Sequence, residues 1–151
     1  MNTTKLINIL NRLVEVNNDR LEGYKTALAE THEADVRLLF EECARTSQNC
    51  HAELSTEIRA LGGSPFKGTR ISGKFFRIWM DVKAAITMTE RRTILNSCQY
   101  GDEMAIQSYE EVLLKHLHNL TISQQNMVQA QYELIKADHD GIKNLRDQSP
   151  K

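Results

Sequence analysis

Proline is scarce in this chain of 151 residues, with two in all, and glycine numbers seven. The one interior stretch where both gather is Gly62 to Gly73, so most of the chain is free to run in long regular elements. No apolar run approaches the roughly 20 residues of a membrane span. The first ten residues, Met1 to Leu10, lack the uniform apolar core and small-residue cleavage site of a secretory signal. The expected compartment is the cytoplasm, with no membrane contact. Net charge is −1, which argues against a nucleic-acid binder working through a global positive field. Lys67, Arg70, Lys74 and Arg77 do form a local basic cluster that leaves a weak anion contact open.

Enzyme signatures are missing too. There is no Gly-x-Ser-x-Gly elbow, and Gly62-Gly63 follows a helical pattern rather than a strand, so it is not a phosphate loop. Three cysteines, an odd number, stand at Cys43, Cys50 and Cys98. Cys43 and Cys50 fall on one expected helix, about 10 Å apart along its axis, and no bond between them is compatible with that helix. They are expected to be small buried thiols in a reducing compartment.

What the chain does contain is helical periodicity. Hydrophobic residues make up 40% and charged ones 26%, ordinary globular proportions. Leu6, Ile9, Leu10, Leu13, Val16, Leu21, Tyr24, Ala27 and Leu28 mark a helix from about Thr3 to Glu30. A second helix runs from near Glu33 to Gly62, a residue suited to a left-handed C-cap. The intervening turn is so short that the two must be antiparallel neighbours. After the loop at 64–72, a short helix is expected over Lys74–Ile86. Thr87-Met88-Thr89-Glu90 then has capping-box form and opens a helix to about His116. Thr121-Ile122-Ser123-Gln124 has the related form and opens the last helix, to about Asp147, with Val128, Tyr132, Ile135, His139 and Ile142 inward. His116 and His118 are expected to cap a helix end, and the tail Gln148 to Lys151 is expected to fray. The expectation is an all-α, single-domain four-helix bundle over 1–151: two antiparallel hairpins joined by a long crossover at about 63–87 with a short extra helix.

Several stretches resemble an uncharacterised bacterial family of ferritin-like four-helix-bundle proteins. They are Asn18-Asp19-Arg20-Leu21-Glu22-Gly23-Tyr24, Ala52-Glu53-Leu54 with Leu61-Gly62-Gly63, Gly101-Asp102-Glu103 with Tyr109, and His139 through Asp147. The resemblance implies the bundle fold but, because that family is a domain of unknown function, it names no activity.

A ferritin-type di-metal centre needs Glu-x-x-His on two helices and further carboxylates on the others. The chain has no Glu-x-x-His: Gln48 precedes His51, and Lys136 precedes His139, at the required spacing. The expectation is therefore no ferroxidase or oxygen-activating di-iron activity, and no resident cofactor. A single or degenerate site for iron or another divalent metal is the alternative, drawing on Glu22, Asp102, Glu103, His139 and His51. Each has a plainer reading. The histidines suit hydrogen-bonded core positions, Glu22 suits a solvated face, and Asp102, on the inward stripe, needs a buried partner that Arg20 or His139 would supply. The aromatic and Met-rich stretch Phe75 to Val82 carries more apolar surface than one bundle face covers. Phe76, Trp79 and Met80 are the expected contact of a homodimer. The functional expectation is a non-catalytic, stress-associated interaction or scaffold protein whose protein partner the sequence does not name.

Overall fold

The computed structural model describes residues 2–68 and 91–149. These form four α-helices: α1 over Thr3–Glu30, α2 over Ala34–Ala60, α3 over Arg91–Lys115 and α4 over Ile122–Asp147. A 3₁₀ turn, Leu117–Asn119, separates the last two, and no strand occurs among the described residues. The architecture is all-α, as the periodicity requires. No helix among the described residues is long and apolar enough to cross a membrane.

Local chemistry sets the ends of these helices. Asn2 caps α1, its side chain accepting from the Lys5 amide at 3.1 Å. Thr121 and Gln124 make the full reciprocal capping box at the start of α4. α2 ends in a Schellman motif: Gly63 N–H donates to Ile58 O and Gly62 N–H to Arg59 O, both at 2.9 Å. Gly62 takes φ +85°, a left-handed conformation that favours glycine, and a Cβ on Gly63 would lie 2.9 Å from the Ile7 side chain. The short α1–α2 turn is held by Arg37, whose Nη1 donates to Thr31 O at 2.8 Å and to Leu28 O. The Thr87–Glu90 capping box and the helix expected over 74–86 lie outside the described residues.

Cross-helix contacts give the directions. Along α1 and α3, Arg12 meets Glu111 and Arg20 meets Asp102, so the numbers run opposite ways. α2 and α4 do the same, with Gln131 on Glu53 and Gln124 on Glu57. α1 with α2 and α3 with α4 are likewise antiparallel hairpins. α2 and α3 therefore run parallel, as do α1 and α4. The end of α2 and the start of α3 therefore lie at opposite ends of the bundle.

The core falls into two apolar blocks. One holds Leu10, Leu13, Leu54, Ile58, Val112 and Val128, and the other Phe40, Ala27, Leu95, Cys98 and Ile142. Between them lies a polar layer. The C-terminal tail departs from the expected fraying. Ser149 is buried, donates to Leu145 O at 2.7 Å and accepts from Arg91 Nε at 2.9 Å, because α3 begins beside it with an arginine needing acceptors.

Candidate functional site

Arg20 sits on the inward face of α1, on the stripe that Leu13, Val16 and Tyr24 share, and is 0% exposed. Every donor edge of its guanidinium meets a group from another helix. Nε donates to Asp102 Oδ1 on α3 at 2.8 Å, and Nη2 to Asp138 Oδ2 on α4 at 3.2 Å. Nη1 donates to Ser47 Oγ at 2.9 Å and Cys43 O at 3.1 Å on α2. All four helices thus contribute to one level of the bundle. Tyr24, one turn further along α1, donates its hydroxyl to the same Asp102 Oδ1 at 2.9 Å, and its ring lies 5.1 Å from the guanidinium carbon. Asp102 Oδ2 is buried with no hydrogen-bond partner.

A second polar chain runs beside this one. Asn17 Nδ2 donates to Tyr109 Oη at 2.8 Å, Tyr109 donates to Gln131 Oε1 at 2.7 Å, and Gln131 Nε2 donates to Glu53 Oε1 at 3.1 Å. The groups in both chains come from different helices, so each fixes helix register as well as satisfying a buried polar group.

The electrostatics keep most of these groups in one protonation state. Burial, the largest single effect, disfavours a charged Arg20, but Asp102 foremost, with Tyr24 and Cys43, together outweigh it and raise its pKa well above the usual value. Burial, with Asp102 adding to it, raises Tyr24 well above the ordinary phenol range, and burial raises Tyr109 as well. Burial pushes Cys50 up to about 12 and lifts Cys43 and Cys98 well above a free thiol. The three thiols are free, buried and protonated, which is the opposite of an activated nucleophile. Asp138 is raised from its ordinary value, chiefly by burial, with Arg20 opposing.

This layer does not fit a carboxylate-bridged pair of metal ions. Such a centre asks for about four carboxylates and two neutral imidazoles. Here the layer holds two carboxylates, each already bonded to a permanent cation, and that cation fills the space between them. Gln48 and Lys136, at the positions where glutamates would stand, are exposed.

The five residues considered as metal ligands are dispersed. Asp102 is in the core with Arg20, the first of its two expected partners. Glu22 is exposed, and it lines an outer cleft together with half-buried His51. Glu103 and His139 are half-buried on α3 and α4. Among the described residues no three His, Cys, Asp or Glu side chains gather into a group that could hold a metal ion. The inward stripe of α4 is Val128, Gln131, Ile135, Asp138 and Ile142, so the expected inward places of Tyr132 and His139 belong to their neighbours in sequence. His116 and His118 stand at the end of α3 and in the 3₁₀ turn, and His116 makes no side-chain capping bond there. Phe76, Trp79 and Met80 lie outside the described residues. The signal for Asp138 was present all the same: 128, 131, 135, 138 and 142 repeat at alternating steps of three and four.

No characterised protein is significantly similar to the chain in sequence. Residues 5–115, which carry most of α1 and all of α2 and α3, match a family described as a domain of unknown function, DUF2383. That span includes Arg20, Ser47 and Asp102, three of the four side chains in the central layer, and the chain belongs to this family.

Proposed function

We propose that this protein is a non-catalytic, ferritin-like four-helix bundle that works as an interaction or scaffold module. The carrying observation is the Arg20 guanidinium, fully buried between Asp102 and Asp138 at the level where all four helices converge. An internal cation there supplies the positive charge that a metal centre would otherwise bring, and it leaves the carboxylates bonded rather than open to ligands. Two antiparallel hairpins with α2 parallel to α3 support the ferritin-like reading of the bundle.

Aerobic loading with iron(II), followed by removal of loose metal and elemental analysis, tests this. The expected result is well under two irons per chain. Two tightly held irons with a di-iron optical spectrum would overturn it. A single ion per chain, abolished by Asp102→Asn, would instead favour a single-site metal-binding protein using the lone Oδ2 of Asp102.

In its simplest form the interaction reading is a homodimer contacting through the stretch that holds Phe76, Trp79 and Met80. Its support is compositional: aromatic and methionine side chains are enriched in the cores of protein interfaces, and two-fold dimers are the commonest oligomers.

A further inference from the structure

We propose that the outer cleft between α1, α2 and residues 64–68 binds a small organic anion, a phosphate monoester or carboxylate with an apolar body. The cleft has a volume of about 360 Å³, within the range of small-molecule sites. It lies outside the bundle core, so it stands independently of the Arg20 layer.

Its outer wall is fastened in place. Asn11 on α1 donates to Ser64 O at 3.0 Å and accepts from Phe66 N–H at 2.7 Å. Asn18, two turns further along, donates to Gly68 O at 2.9 Å and to Phe66 O at 3.4 Å. Two asparagines on one helix thus satisfy the backbone of an irregular segment some fifty residues away. The wall exists before any ligand arrives, and preorganisation of this kind lowers the entropic cost of binding.

The chemistry of the lining selects the ligand. Leu21, Pro65 and Phe66 give an apolar surface. Arg59 and Lys67 line the same cleft, are exposed, and make no ion pair among the described residues. The sequence places no Asp or Glu between Glu57 and Asp81. Among the described residues Glu22 is the one carboxylate in the lining. His51 is in the wall as well; its Nδ1 is buried without a hydrogen-bond partner and its Nε2 lies 3.4 Å from Ser55 Oγ. Two cations with no ion pair among the described residues, beside an apolar floor, suit an anionic head on an apolar body: the guanidinium and ammonium take the head through charge-assisted hydrogen bonds, and the body covers Leu21 and Phe66.

The test is a titration of the full chain, followed by amide chemical shifts, with phenyl phosphate, benzoate, inorganic phosphate and benzyl alcohol. The expected result is saturable binding of phenyl phosphate or benzoate, with shifts at Leu21, Glu22, Lys67 and Gly68; the tighter of the two identifies the preferred head group. Arg59→Gln with Lys67→Gln, both surface changes that leave the fold intact, should weaken that binding by roughly tenfold or more. Inorganic phosphate and benzyl alcohol should each bind more weakly, lacking body or charge. No saturable binding at millimolar concentration, shifts scattered away from the cleft, or affinity unchanged in the double variant would overturn the proposal. So would inorganic phosphate or benzyl alcohol binding as tightly as the organic anions.

Discussion

Arg20 Nε and Asp102 Oδ1 meet at 2.8 Å with both side chains fully shielded from solvent. One oxygen of this carboxylate carries two bonds, from Arg20 and Tyr24, while the other carries none. The pair joins α1 to α3, two helices that are not consecutive in the chain, and Asp138 extends it to α4. A buried ion pair of this kind is weak evidence of net stabilisation, since desolvating the charges offsets their attraction. Its stronger effect is on specificity. A helix that slides or rotates leaves a charge in an apolar core with nothing to meet it.

That asymmetry predicts how the layer responds to mutation. Arg20→Met removes the cation and strands two buried carboxylates. The expected loss is about 3–5 kcal/mol of unfolding free energy, read by denaturant titration. Converting all three charges together, in Arg20→Met with Asp102→Leu and Asp138→Leu, should recover most of it. A loss below roughly 1 kcal/mol in the single variant, the level of an exposed pair, would mean that the layer does not organise the core.

Asp138 predicts a pH dependence. Its carboxyl is raised, chiefly by burial, so the folded chain binds that proton more tightly than the unfolded chain does. Its contribution is fully present below the ordinary aspartate value, about 4, and is lost as pH rises through the raised folded value. Asp138→Asn has no proton to bind there. The stability of the wild type relative to Asp138→Asn should therefore improve as pH falls from neutrality toward that range. Paired denaturation curves across the interval check it; a difference that is flat or improves with rising pH contradicts it.

The cysteines predict a reactivity pattern. Cys43, Cys50 and Cys98 are buried, and burial holds all three protonated in the folded chain. An aromatic disulfide reagent at mildly alkaline pH should leave them unmodified in the native protein and titrate three thiols in denaturant. Fast modification of any one without denaturant would show that the core opens locally.

Trp79 predicts the outcome of the association proposal. At the centre of a dimer contact, Trp79→Ala should cost on the order of 2 kcal/mol or more of association energy, with little change in the melting temperature of the protomer. As a core residue it would instead lower the melting temperature and leave the oligomeric state alone. Light scattering beside a melting curve distinguishes them, and a wild type that stays monomeric at high concentration removes the dimer.

Among the described residues the sequence by itself determined the four long helices and their order, because these follow from local chemistry. The capping box at Thr121, the left-handed Gly62 and the short turn before Ala34 each depend on residues within one helical turn. It also made Asp102 an inward carboxylate in need of a partner. The choice between Arg20 and His139 was made only by the tertiary structure, because a partner on another helix is set by register and rotation across the bundle. The same reason separates Asp138 from His139. Neighbouring residues in a helix differ by about 100° in direction, so a stripe blurred by one position exchanges a core carboxylate for a half-buried imidazole. The outer cleft was beyond sequence reasoning altogether. Glu22, His51 and Lys67 lie far apart in the chain; the packing of α1 on α2 brings the first two together, and Asn11 and Asn18 hold residues 64–68, with Lys67, against α1.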